Sequence, residues 1–289
     1  MGIGLSILNT KRKSFRGFGA RNAYLHLIII PILALIIVYA YYPIVDNIFH
    51  SLFSIKNFNY DTKTFVGFSN YLDIFMNNHK FRVAFYNTVL MLLGTLLVQL
   101  PIAFLLSDFL VFHIKNNRVE KLLVLLLFLP TLIPVPIYAK TWKLFFGYRG
   151  YFPFILEILG LTEPVKKLFG LGGPYLMAEA STAIWVLVGV QTWARIGFNL
   201  LVYRAAMLTI PNEIYESAEV DGAGPWTKLF HITVPLCGVI ISTTVSLAIL
   251  GIFQLFDIVW MATKGGPFSS SEVLATYMYR TAFENFNAG

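Results

Sequence analysis

Apolar residues recur along this chain in long uncharged runs, not in the one-sided stripes of a water-facing helix. Five runs reach the length of about 20 mainly apolar residues that a helix needs to cross hydrocarbon. They are Tyr24 to Val45, Val83 to Ser107, Leu122 to roughly Ala139, Thr182 to about Tyr203, and Val234 to Ala262. A surface helix would interrupt each run with a polar face. An isolated strand in lipid would leave backbone groups unpaired. The expected fold is all-α, a polytopic membrane protein with five transmembrane helices. Pro130, Pro134 and Pro136 crowd the third run. Proline lacks an amide donor, so that helix should kink or break toward its outer end.

Composition agrees with this reading. The 289 residues are 57% hydrophobic and 13% charged, against about 25% charged in a soluble domain, and the mean hydropathy is +0.68. The net charge of +7 does not point to nucleic acid. Lys11, Arg12, Lys13, Arg16 and Arg21 sit in a tail without acidic residues, which reads as a cytoplasmic flank held inside beside the first span. Residues 1–23 are that tail, and 24–289 form the membrane domain. Later basic residues divide evenly between the two sides, so the tail decides the orientation. The first apolar run is too long for a cleavable signal, and no small-x-small site follows it. The lone Cys237 permits no internal disulfide and no thiol pair for a metal.

Polar residues inside a span are costly and mark pathways or pairing partners. The fourth span carries Gln191, Arg195 and Asn199 at four-residue spacing, on one helix face. This stripe either contacts solute or, with Arg195 paired to a carboxylate or carbonyl on a neighbouring helix, holds the bundle together. Ser246, Gln254 and Asp257 are the polar candidates on the fifth span, with Asp257 near its outer end. Trp193 suits an aromatic belt or core role. In the outer segment from Gly147 to Met177, the stretch Phe152 to Leu161 is either a short surface helix or an ordinary loop.

The stretch from Ile210 to Pro235 lies between spans four and five. Pro211 suits a first helical turn, with Glu213 and Glu216 near the positive end of that helix. Gly222 and Gly224 stop it, and Pro225 opens a second helix that runs through Phe230 into the fifth span. Two short helices with a glycine elbow result. Ala218 and Gly222 leave a small face, and Glu213, Glu216, Glu219 and Asp221 offer acidic edges. On residue chemistry alone, the segment is either a docking handle or a solvated loop.

This stretch resembles the EAA signature of ABC importer permeases, a Glu-Ala-Ala, then Gly, then Ile-x-Leu-Pro. Glu216, Ala218, Gly222, Ile232 and Pro235 fall on the pattern, with Ser217 and Val234 as small or apolar replacements. Asp221-Gly222-Ala223 is similar to the carbohydrate-type version. Phe65 to Tyr71, Asn87-Thr88, Phe256-Asp257 and Thr263-Lys264-Gly265-Gly266-Pro267 add matches in order. The resemblance implies a cytoplasmic coupling helix, with Glu213, Glu216, Ser217, Ala218, Asp221, Gly222 and Ala223 engaging an ATPase. It implies as partners a second permease subunit, two cytoplasmic ATPases that use ATP–Mg, an extracellular solute-binding protein and a sugar or related polar solute. It also implies location in a bacterial-type inner membrane. The family usually has six spans, whereas this chain stops at Gly289 where a sixth should approach.

Other chemistry finds no support. No Gly-x4-Gly-Lys-Ser/Thr loop is present, so the chain itself is not expected to bind ATP. His26, His50, His79, His113 and His231 are scattered without metal spacing. A Gly-x-Ser-x-Gly elbow is also missing. The rivals are a polytopic membrane enzyme, which would need a constellation not found here, and an ion-coupled secondary transporter, which usually shows internal repeats.

Overall fold

The computed structural model describes residues 23–55, 61 and 63–284, so most of the expected basic tail lies outside the described residues. The chain divides into two compact units, 1–70 with 287–289, and 71–286.

In the first unit, helix α1 (23–50) carries exposed apolar side chains from Ile29 onward, as expected of a span solvated by lipid. Strands β1 (Phe53–Ser54) and β2 (Thr64–Phe65) then pair antiparallel, with Phe53 opposite Phe65. The motif from Phe65 to Tyr71 closes this hairpin. Gly67 sits at φ +58° and its amide donates to Leu52 O. Asn70 Nδ2 donates to the Ser51 and Phe53 carbonyls at 2.9 and 3.0 Å. A short helix, α2 (69–77), follows.

The second unit holds the remaining spans. Helix α3 (His79–Phe112) starts where Asn78 Oδ1 accepts the Phe81 amide at 3.0 Å. Helix α4 (Asn117–Leu132) is capped in the same way by Asn116. At Ile133 and Pro134 the chain turns by 94° into the segment Val135–Ile158, so the proline-driven break is real. That segment comprises α5 (Val135–Phe146) and α6 (Tyr151–Ile158), and α7 (Thr162–Phe169) follows. The stretch Phe152 to Leu161 is therefore largely helical. Helix α8 (Ala183–Met207) is straight-chained and long. Helices α9 (Asn212–Val220), α10 (Pro225–Leu236), α11 (Gly238–Phe253), α12 (Asp257–Ala262) and α13 (Leu274–Tyr279) complete the order.

Among the described residues three helices are long and apolar enough to cross a membrane, or five if each bent pair is one span. The expected fifth span needs correction. It is not one helix from Val234 to Ala262: the helix opened by Pro225 runs through Phe230 to Leu236, as expected, and meets α11 at a bend. The chain bends 71° between Leu236 and Gly238, next to Pro235, which has no amide to donate. It breaks again at 254–256 before α12.

Helix α8 is the packing axis. A Cβ on Gly197 would fall on the Leu127 carbonyl and the Phe128 Cα, so α8 and α4 approach backbone to backbone only because that position is glycine. Side-chain hydroxyls tie α8 to α3, α4 and α11. Ser107 Oγ donates to Leu200 O at 2.8 Å, Thr131 Oγ1 to Ala194 O at 2.9 Å, and Tyr203 Oη meets Thr244 Oγ1 at 2.7 Å.

One end of the unit is closed by the loop from Thr263 to Val273. Asn87 Nδ2 donates to the Ser270 and Glu272 carbonyls, both at 2.8 Å, and Thr88 Oγ1 accepts the Leu274 amide at 3.0 Å. Two sequence motifs far apart in the chain are thus one structural joint. Glu272 is fully buried and pairs with Arg280 at 3.3 Å. Arg280 also donates to the Lys264 carbonyl at 2.6 Å. Burial pushes the Glu272 carboxyl above its ordinary value, with Arg280 acting in the opposite sense.

Removing one partner of a buried pair strands the other's charge. Arg280→Ala should lower the stability of this joint by about 3 kcal/mol, and Arg280→Ala with Glu272→Gln should recover most of that loss. A raised folded-state value favours the protonated carboxyl. The deficit of Arg280→Ala should therefore shrink as pH falls and Glu272 takes up a proton. Thermal unfolding of the detergent-solubilised protein, followed by tryptophan fluorescence across pH, reads both effects.

Candidate functional site

The elbow between α8 and α11 is built from short-range chemistry. Proline at 211 precedes α9, and Glu213 occupies its first turn. The helix ends where Gly222 adopts φ +78° with no atom within 4 Å of a would-be Cβ. Glycine is demanded there by backbone conformation and not by space. The Ala223 amide donates to Ala218 O at 2.8 Å, closing the turn, and Pro225 begins α10.

Lys228 Nζ reaches Glu219 Oε2 at 2.9 Å across this turn, and its charge and hydrogen bond hold the Glu219 carboxyl below its ordinary value. Glu219 is thus paired within the elbow while remaining exposed, as Glu213, Glu216, Ser217, Asp221 and Gly222 also are. Ala218 and Ala223 are half-buried. Three apolar side chains that sequence reasoning passed over share this surface: Val220 is 89% exposed, Trp226 66% and Phe230 58%. The rings of Trp226 and Phe230 stack at 6.1 Å. Their signal in the sequence was a pair of aromatics four residues apart at the start of the helix opened by Pro225.

The opposite face of α9 meets the membrane helices. The Tyr215 ring lies 4.6 Å from that of Phe112, and Tyr215 Oη is 3.0 Å from Thr233 Oγ1. Nearby, Arg204 at the end of α8 grips Glu120 of α4 through Nε and Nη2, at 2.9 and 2.6 Å to the same oxygen. A recess of about 450 Å³ opens beside α9, bordered by Phe112, Met207, Thr209, Pro211 and Glu213 among others.

The polar stripe of α8 divides. Gln191 and Asn199 are buried in the chain's own packing, while Arg195 between them is exposed. Among the described residues no hydrogen bond or ion pair engages its guanidinium, and Asn199 Nδ2 donates weakly to Arg195 O at 3.5 Å. Tyr138 packs in one apolar cluster with Ala194, Ile258 and Val259, which places the chain neighbours Arg195 and Asp257 at its edge. Trp193 packs edge-on to Trp142 at 5.3 Å and to Tyr138 at 6.3 Å. Ser246, Gln254 and Asp257 are exposed, and Ser246 Oγ donates to Ser242 O. The structure therefore groups Arg195, Asp257, Tyr138 and the tryptophans, and separates Gln191 and Asn199 from them. Tyr138 was not foreseen, since a tyrosine in a span carries no sign of its neighbours.

Comparison with known proteins agrees with this architecture. The family model described as "Binding-protein-dependent transport system inner membrane component" matches residues 74–286. Similar proteins include one named "Probable ABC transporter permease protein YurN" from Bacillus subtilis, 30% identical over 263 residues, covering 89% of this chain and 85% of that relative. The trehalose/maltose transport system permease protein MalF of Thermococcus litoralis is 29% identical, over 91% of this chain and 83% of the relative. The lactose transport system permease protein LacF of Rhizobium radiobacter is 28% identical, over 95% and 87%. A chain in the crystal structure of a bacterial alginate ABC transporter, in complex with an alginate-bound periplasmic protein, superposes with a TM-score of 0.74. It is 22% identical and covers 91% of this chain and 84% of its own, a likeness of fold.

Proposed function

The chain belongs to the inner membrane components of binding-protein-dependent transport systems, and on that premise we propose that its elbow is the handle by which cytoplasmic ATPases drive import of a sugar or related polar solute. The chain is a permease subunit of an ABC importer and not an enzyme. In the proposed reading the tail of residues 1–23 and the segment 210–235 lie in the cytoplasm. Two ATPase subunits use ATP–Mg there, a second and different permease subunit completes the pathway, and an extracellular binding protein delivers the solute.

The observation that supports this most is the exposed surface of the elbow. Glu213, Glu216 and Val220 are exposed on α9 and Asp221 just after it, and Trp226 and Phe230 are exposed on the adjoining α10. Helix α9 lies outside the candidate spans, and its exposed acidic side chains suit a partner with basic edges. Ser217, Ala218, Gly222 and Ala223 supply the small, turned backbone that allows close approach. ATP can shift only an equilibrium whose two states it binds differently, so the elbow must follow its ATPase as that subunit closes.

For the solute, the names of the relatives point to sugars, and the grouping of Arg195 and Asp257 with aromatic rings suits a hydroxyl-rich ligand. An unpaired guanidinium in mid-span calls for water or a partner. We assign Arg195, Ser246, Gln254 and Asp257 to the wall of the pathway. Gln191 and Asn199 support that wall from within the packing.

Two outcomes follow. A thiol introduced by Ala218→Cys should crosslink to the ATPase from the cytoplasmic side, and Gly222→Val should weaken that crosslink and uptake together, since a β-branched residue at positive φ costs on the order of 1–2 kcal/mol. Labelling of Ala218→Cys from outside the cell would overturn the topology. Arg195→Ala should reduce uptake by about tenfold, a loss near 1.4 kcal/mol, while the complex still assembles. Failure of assembly before loss of uptake would make Arg195 a packing residue.

A further inference from the structure

Glu213, Glu216, Ser217 and Val220 are exposed on α9, leaving that face open to a partner. Tyr215 turns the other way and is half-buried. Its ring contacts Phe112, the last residue of α3, and its hydroxyl meets the buried Thr233 of α10, four positions before the bend at Cys237. Phe112 and Cys237 pack in one apolar cluster with Leu200, Tyr203, Met207 and Leu229. One side chain therefore bridges α9 to the ends of two membrane segments that come from opposite halves of the sequence.

The other links from α9 to α10 are compliant. Gly222 has no side chain and no near neighbour to stiffen it, and the Glu219–Lys228 pair is largely exposed on its glutamate side. Exposed pairs contribute about 0–1 kcal/mol. A displacement applied to the outer face of α9 would be absorbed by bending at the elbow unless something more rigid carries it inward. A packed ring with a hydrogen-bonded tip does so, because both contacts must break for α9 to move alone.

The geometry points to Tyr215 as the positioning residue that converts movement of α9 into joint movement of α3 and the α10–α11 pair. This rests on the reading of the elbow as the ATPase handle. Tyr215 touches neither solute nor nucleotide in this role; it acts through Phe112 and Thr233.

The test uses the full transporter in membrane vesicles, with Ser242→Cys, an exposed position on α11 apart from the proposed pathway wall, as reporter. The native Cys237 is buried and gives a quiet background. The probes are ATP–Mg with orthovanadate and a membrane-impermeant maleimide. In the reporter background, maleimide reactivity should change when ATP–Mg and vanadate are added. Tyr215→Ala should shrink that change by at least about fivefold, while Ala218→Cys still crosslinks to the ATPase and ATP hydrolysis continues. Tyr215→Phe and Thr233→Val should each cost about two- to threefold, and the double variant no more than either, because both remove one shared bond. The proposal is overturned if the reactivity change survives intact in Tyr215→Ala, or if the two single effects add. Should Tyr215→Ala not assemble, the comparison of Tyr215→Phe, Thr233→Val and the double variant decides the matter alone. No response to ATP in the reporter background, or no crosslink from Ala218→Cys, would instead bring down the handle reading, and this inference with it.

Discussion

Hydrocarbon offers no hydrogen bonds, so a chain immersed in it can interrupt a helix only where its own groups replace the lost backbone partners. The architecture of residues 71–286 is organised around such interruptions. Where α4 gives way at Pro134, Thr131 reaches across to the Ala194 carbonyl. Beyond the bend at Cys237, Thr244 meets Tyr203. Where the chain leaves α12 for an irregular loop, Asn87 and Thr88 supply both donors and an acceptor. Each break is thus tied to a helix other than its own, two of them to α8 and one to α3. These ties fix the relative placement of the segments without requiring large apolar interdigitation at every contact.

The spans were legible because length and uniform apolarity are local properties. The break near Pro134 was legible for the same reason, since proline acts on its own helix. The elbow was read correctly in outline from Gly222 and Pro225. The second bend was not, because the run from Val234 to Ala262 stays apolar across Cys237 and across 254–256, and apolarity does not report direction. The joint of Asn87 with Glu272 was visible only as two motifs in order. Their contact spans 185 residues in sequence, a relation no periodicity can disclose. Glu219 was grouped with its acidic neighbours because its partner Lys228 lies beyond the turn. The four-residue spacing of Gln191, Arg195 and Asn199 put them on one face, yet depth of burial separated the long, emergent arginine from the two short amides.

The two ends of the unit differ in character in a way that suits an importer. At the elbow end, charges and aromatics are displayed, the backbone turns through a flexible glycine, and a recess leaves room beside α9. At the far end, a buried carboxylate, a guanidinium and two side-chain amide bonds clamp an irregular loop. The elbow end is thus the more exposed of the two, while buried polar contacts hold the far end. Between them, Arg195 and Asp257 face away from the packed core, where charges can be hydrated or met by another chain.

The sequence distance across the Asn87 joint has a consequence for how the protein is made. During synthesis, α3 is inserted long before the acceptors of Asn87 Nδ2 exist, for Ser270 and Glu272 follow it by 183 and 185 residues. Until then a side-chain amide destined for burial waits without its partners, a state that costs free energy in an apolar medium. Locking of this joint consequently waits for that distant loop, and a nascent chain halted before residue 270 holds α3 through α12 yet can make neither bond.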